Sequence, residues 1–164
     1  MKLAMKPKRW LVTLHILFAA IMVGNMVTFL ILSITAATSA SDQLVTSCYQ
    51  IMHVLAGTSI RASTIGTAIT GILLAIWTKW GLFQFYWIIV KQALTLLLIG
   101  LNLWGLYIWT LQAVDLSADN PAMNLTTTYL WTGILLQLVS LIFLYVISVF
   151  KPWGKRKSLI VKKG

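Results

Sequence analysis

Four long apolar runs alternate with short polar segments along this chain. The runs cover residues 11–34, 51–77, 83–109 and 127–150. Each of them reaches or exceeds the ~20 residues that an α-helix needs to cross the hydrocarbon core of a bilayer. The pattern predicts one all-α domain over residues 1–164, an integral membrane protein folded as an antiparallel four-helix bundle.

Charged residues are distributed unequally among the polar segments. Lys and Arg precede the first run, lie between the second and third runs, and follow the fourth run. The other two segments contain no Lys or Arg and hold the three acids of the chain, Asp42, Asp115 and Asp119. Because cytoplasmic loops retain basic residues, this bias predicts that both termini face the cytoplasm. The net charge of +10 is split between two ends, so we expect anionic lipid headgroups, and not nucleic acid, at the basic termini.

Ionisable side chains inside the predicted helices are costly and usually need a partner or a function. His15 lies five residues beyond Trp10, and Lys91 lies four residues beyond Trp87. At a rise of about 1.5 Å per residue, both fall ~6–8 Å inside the cytoplasmic edge. Thr70 on the second helix falls near the same depth. The sequence therefore predicts an inner polar layer formed by His15, Thr70 and Lys91.

Two explanations of this layer stay open. A lysine near the end of a span often extends its ammonium group to the headgroups, and a single histidine there is often only hydrogen-bonded. In contrast, a neutral imidazole is a common ligand of haem iron, and a desolvated lysine amine can also act as a ligand. His53 is predicted at the opposite side of the membrane from His15, so the two histidines are not expected to share one haem.

A second polar cluster is predicted in the outer half of the bundle. It contains one polar residue from each helix: Asn25, Arg61, Asn102 and Gln137. We expect Arg61 to reach outward to one of the three acids. Interhelical hydrogen bonding with an interfacial ion pair is one role for this cluster, and a path for a ligand or an ion is the other.

The second apolar run carries small side chains on one broad face. They form two rows at four-residue spacing: Ala62, Gly66 and Thr70, and Ser59, Ser63, Thr67 and Gly71. Such a face allows close helix packing in lipid, and it could also leave volume for a flat ligand. Before it, Ser41 or Asp42 is expected to cap a short helix. We expect residues 57–59 to break that helix, so that the buried part begins near Ile60.

Two segments resemble known membrane proteins. These are WLVTLHI at residues 10–16 and WIIVK at residues 87–91. They are similar to a group of small bacterial four-helix proteins that includes copper-resistance D type domains, the haem-carrying membrane form of protoporphyrinogen oxidase, and an integral membrane family of unassigned activity. The oxidase family carries basic residues just after its first helix, whereas residues 34–50 here hold none. The family of unassigned activity therefore resembles this chain best.

The resemblance implies a bacterial plasma (inner) membrane protein that binds haem b, or another flat hydrophobic cofactor, for redox or tetrapyrrole chemistry. In the oxidase family a first-helix histidine and a third-helix lysine are linked with haem and activity. Carried over by position, His15 would be the iron ligand, and Lys91 the second ligand or the propionate partner. Arg61 would match a basic residue near the start of that family's second helix.

A cofactor-free protein is the alternative from a different class. It would be an accessory subunit or a small permease that uses its small-residue face in a homo- or hetero-oligomer. The sequence contains no CxxC motif and no glycine-rich nucleotide motif. Three acids, all placed between the runs, do not supply a carboxylate pair for acid–base catalysis within the bilayer.

Overall fold

The computed structural model describes residues 5–77, 85–116 and 121–150. Its α-helices are α1 (Met5–Thr38), α2 (Asp42–Leu55), α3 (Arg61–Trp77), α4 (Tyr86–Gly100), α5 (Leu106–Asp115) and α6 (Pro121–Phe150). A π-helical turn joins α2 to α3, and another joins α4 to α5, so the chain forms four long helices. All four are long and apolar enough to cross a membrane. The prediction of an all-helical chain with four such helices is confirmed, and each helix extends beyond its apolar run at one end or both.

The four long helices are arranged as a ring. The first helix contacts the second and the fourth, and the third helix also contacts the second and the fourth. Within the described residues the backbones of the diagonal pairs do not come into contact. Phe29, Leu106 and Ile134 are fully buried at the centre. This arrangement places the first and third helices, which carry His15 and Lys91, at opposite corners.

The second helix begins as predicted but does not break. Ser41 has extended backbone angles, and its hydroxyl accepts a hydrogen bond from the Leu44 amide at 3.5 Å, which is the geometry of an N-cap. The expected break at residues 57–59 is wrong. The chain instead widens into a π-helical turn at Ala56–Ile60 and continues into α3. Because the chain stays helical there, its backbone groups keep their hydrogen bonds within the helix, as a segment in a bilayer requires.

The third helix contains a matching π-helical turn, Leu101–Gly105, that the sequence analysis missed. The two π-helical turns contact each other. Single π turns within α-helices are rare and often occur at functional sites. The irregular parts of the second and third helices therefore lie side by side.

The small-residue face of the second helix packs closely on the first helix. A Cβ atom on Gly66 would lie only 2.7 Å from the Phe18 ring, and a Cβ atom on Gly71 would lie 3.2 Å from His15 Cε1. Close approach through small residues is the usual packing mode in lipid. The seam is closed at both depths, so the expectation of room for a flat ligand on this face is wrong.

The aromatic residues near the helix ends differ in environment. Trp10 is 71% exposed and Tyr129 is 51% exposed, as expected for rings at headgroup level. Trp87 is buried against Ile88 and Ile147, so its ring faces the bundle. Several parts of the chain lie outside the described residues: Lys79, the turn at residues 78–81, the segment 117–120, and the basic segment 151–164 with Trp153.

Candidate functional site

The inner polar layer begins with a hydrogen bond between the first and second helices. His15 Nδ1 lies 2.9 Å from Thr70 Oγ1. The Thr70 hydroxyl in turn lies 2.6 Å from the Gly66 carbonyl oxygen. A hydroxyl has one hydrogen to donate, and a carbonyl can only accept. Thr70 therefore donates to Gly66 and accepts from His15, so His15 Nδ1 carries the proton.

This arrangement determines which nitrogen of His15 is available for chemistry. In a neutral imidazole with a protonated Nδ1, the lone pair belongs to Nε2. Within the described residues Nε2 makes no side-chain hydrogen bond. The ring is also held by packing, because its Cε1 atom occupies the space beside Gly71. Metal-binding histidines usually donate their other ring N–H in this way, which fixes the tautomer and the ring orientation.

Lys91 joins the layer from the third helix. Its ammonium group donates a hydrogen bond of 2.7 Å to Ser148 Oγ on the fourth helix. Ser148 Oγ lies 2.6 Å from the Leu144 carbonyl oxygen and donates to it. Lys91 Nζ also lies 6.0 Å from the centre of the Trp87 ring. Lys91 lies within electrostatic range of the His15 imidazole, so the two side chains belong to one layer.

Ser148 was missed by the sequence analysis. It is a lone serine near the end of an apolar run, and neither its spacing nor its neighbours distinguish it from other hydroxyl residues. With Ser148 included, all four long helices contribute to the inner polar layer. Lys91 is held by a specific partner in the bundle, which differs from a lysine that only extends to the headgroups.

The donor set of this layer fits a haem group in part. An oriented Nε2 lone pair on His15 suits an axial iron ligand. The Lys91 nitrogen donates to Ser148. In its ammonium form it has no lone pair, and in that form it suits a carboxylate partner and not an iron ligand. The described residues contain no group of three or more His, Cys, Asp or Glu placed to hold a metal ion.

Two of the three amides predicted in the outer cluster, Asn25 and Asn102, bond to the second helix. Asn25 Nδ2 donates to Ser59 Oγ at 2.9 Å, and Asn102 Nδ2 donates to Thr64 Oγ1 at 2.9 Å. Asn102 is fully buried, and its Oδ1 atom has no partner within the described part of the chain. The two amides therefore connect the first and third helices to the second helix and do not bond each other.

Among the described residues, Gln137 has the largest number of buried side-chain polar atoms without a hydrogen-bond partner. It is fully buried, and neither atom of its amide has a partner among the described residues. A Cβ atom on Gly133 would lie 3.3 Å from Leu106 Cδ2. One turn further along these antiparallel helices, Gln137 reaches the depth of Asn102. Two incompletely paired amides thus share one level at the centre of the bundle.

Arg61 has different partners from those predicted. Its guanidinium lies 4.2 Å from the centre of the Tyr107 ring, and Nη2 donates a long hydrogen bond of 3.4 Å to the Leu103 carbonyl. Within the described residues no acid pairs with it, so the expected ion pair with Asp42 or Asp115 is wrong. The reason is direction: Arg61 follows a π-helical turn and faces the third helix. The proposed third acid, Asp119, lies outside the described residues.

His53 completes a stack in the groove between the second and third helices. Its ring lies 4.7 Å from the Tyr107 ring, and its Nδ1 lies 3.2 Å from Thr110 Oγ1. Seventeen residues separate His53 from Thr70 on the continuous second helix, which corresponds to about 25 Å. The two histidines are therefore too far apart to bind one haem together, as predicted.

No protein-family model, no curated protein and no solved structure matches this chain.

Proposed function

We propose that this chain is a multi-pass protein of the bacterial plasma (inner) membrane, with both termini in the cytoplasm, and that it binds haem b at the inner polar layer for redox or tetrapyrrole chemistry. The orientation of His15 by Thr70 is the observation that carries the proposal. When bound, haem b supplies a one-electron redox centre. The resemblance of residues 10–16 and 87–91 to haem-carrying four-helix proteins agrees with this function.

Each residue of the layer has a defined part in the proposal. His15 would hold the haem iron through Nε2, and Thr70 fixes the tautomer by accepting a hydrogen bond from Nδ1–H. Lys91 supplies a positive charge for a propionate, and Ser148 holds the ammonium group in place. Because the second helix closes one side of the imidazole at Gly71, the cofactor would be bound from the Nε2 side.

The alternative is a cofactor-free accessory subunit or small permease. Such a protein is expected from its sequence to bind another protein through the small-residue face of the second helix. Since the first helix covers Gly66 and Gly71, that face is not available for a partner. This alternative is therefore only one of the outcomes of the absorption test described below.

An absorption spectrum of the purified protein tests the proposal. We expect a Soret band in the wild-type protein that His15→Ala abolishes, because the axial ligand is lost. His53→Ala is the matched control and should keep the band, since its imidazole is bonded to Thr110 about 25 Å away. Lys91→Gln should weaken haem retention without abolishing it. A colourless wild-type protein, produced in cells with ample haem and folded by circular dichroism, would contradict the proposal, as would a His15→Ala variant with an unchanged band.

Cysteine labelling tests the proposed insertion separately. In a Cys48→Ser background, a cysteine is introduced either at Gln43, in the first turn of α2, or at Lys8, near the start of the first helix. Both positions are exposed. We expect a membrane-impermeant maleimide to label Gln43→Cys in intact spheroplasts and Lys8→Cys only after lysis. The reverse pattern would show the opposite orientation.

A further inference from the structure

We propose that Arg61 binds an oxyanion, a carboxylate or a phosphate group, in the groove between the second and third helices near the middle of the bundle. This site lies in a different layer from His15 and Lys91. It therefore stands or falls independently of haem binding.

No acid among the described residues balances the charge of Arg61. A guanidinium has five N–H donors, and within the described part of the chain Arg61 makes one hydrogen bond, a long one to Leu103. The Nε atom is buried and has no partner among the described residues. Neither Asp42 nor Asp115 pairs with Arg61. In surroundings of low polarity, such a cation is stabilised most effectively by an anion.

Arg61 lies deep within the bundle, away from the ends of the long helices. Asn25 bonds to Ser59, which lies two residues before Arg61. This contact places Arg61 close to the level of residue 25 in the first helix, whose apolar run covers residues 11–34. Arg61 is therefore nearer to the middle of that run than to either end. Charged residues at such depths in membrane proteins mark paths of substrates or ions.

The guanidinium of Arg61 is held in place by the ring of Tyr107. It lies over the Tyr107 face, and the Tyr107 ring in turn packs on Gly57, where a Cβ atom would lie 3.5 Å from Cε2. The His53 ring also lies 4.7 Å from the Tyr107 ring. The N–H donors of a guanidinium lie in its own plane. These donors can then bind the two oxygens of a carboxylate or phosphate side by side.

The π-helical turns complete the arrangement. Arg61 follows the turn at Ala56–Ile60 directly, and Leu103 lies within the turn at Leu101–Gly105. Both turns lie at the same level and contact each other. The only charged group described at this level is therefore positioned by the two irregular segments of the bundle, which is where functional sites often occur.

The oxyanion is a carboxylate or a phosphate, and one experiment separates the two. The full-length protein in neutral detergent is titrated with sodium phosphate and, separately, with sodium acetate, while thermal unfolding is monitored. We expect a saturable rise in Tm with one of the two anions. Arg61→Gln should abolish this rise, and Arg61→Lys should weaken it about tenfold, because the planar pair of donors is lost.

The matched control is Arg9→Gln, which removes an exposed arginine near the start of the first helix and should leave the response unchanged. If Arg61→Gln does not fold, Tyr107→Leu provides the second variant. It removes the ring under the guanidinium and should weaken the response severalfold. The proposal is overturned if the wild-type protein shows neither response, or if Arg61→Gln, or Tyr107→Leu in its place, responds as the wild-type protein does.

Discussion

Substitution of Gly66 by alanine tests the packing of the first two helices. A Cβ atom at this position would lie 2.7 Å from Cγ and Cδ1 of Phe18 and 2.8 Å from Cδ2. All three distances are too short for carbon–carbon contact. Cγ is the ring atom nearest to the backbone, so rotation of the ring about its own axis does not relieve the clash. Either the Phe18 side chain must leave its rotamer or the two helices must separate.

The expected magnitude follows from two opposing terms. Overpacking of a well-packed core costs about 1–3 kcal/mol. Replacement of glycine by alanine inside a helix gains about 1 kcal/mol in helix propensity. Gly66→Ala should therefore reduce the free energy of unfolding by up to about 2 kcal/mol. Gly24→Ala in the first helix measures the second term alone, because nothing lies within 4 Å of the Cβ position there.

Reversible unfolding in mixed micelles, with helicity monitored by circular dichroism, measures both variants. We expect Gly66→Ala to be less stable than Gly24→Ala by about 1–3 kcal/mol, which is the steric term. Phe18→Leu should recover part of this loss in the double variant with Gly66→Ala, since it removes the ring. Equal stability of the two alanine variants would refute the close approach of the first and second helices at this level.

Three further results are expected from the same measurements. Thr70→Val removes the hydroxyl that accepts the hydrogen bond from His15 Nδ1–H. It should lower the free energy of unfolding by about 0.6 kcal/mol, an average value for interhelical hydrogen bonds in membranes, and an unchanged value would argue against the bond. Gln137→Leu replaces a fully buried, unpartnered amide by an apolar side chain and should raise stability by about 1–3 kcal/mol; a loss of stability would mean that the amide has a partner. Cys48 is 2% exposed, so it should react with a maleimide only after unfolding, and rapid labelling of the folded protein would contradict its burial.

The number of helices and the shared depth of His15 and Thr70 could be predicted from the sequence. Apolar runs of sufficient length define the helices, because in a bilayer each run must satisfy its own backbone hydrogen bonds. The shared depth followed from counting residues inward from the tryptophans near the helix ends, Trp10 and Trp77. Such counts give depth along a helix, and residues of equal depth on neighbouring helices can meet when both face the bundle.

The direction in which a side chain points around its helix axis could not be predicted in the same way. The acids near Arg61 were selected by distance along the helix, but Arg61 faces Tyr107 on the third helix. Ser148 was missed for a related reason, since a single serine in an apolar run does not show which neighbour it faces. Hydrophobic periodicity determines direction in soluble proteins, and it is weak here because the lipid-facing and the buried side chains are both apolar.

The second helix faces different neighbours before and after its π-helical turn. His53 precedes the turn at Ala56–Ile60 and faces the third helix, whereas Thr70 follows it and faces the first helix. Seventeen residues of regular α-helix would rotate by about 1,700°, which places Thr70 about 100° from the direction of His53. A π turn accommodates one residue more than an α-helical turn, so the following residues rotate by about 100° less, and the angle becomes about 160°. One continuous helix can therefore contact the third helix in its outer half and the first helix at the inner polar layer.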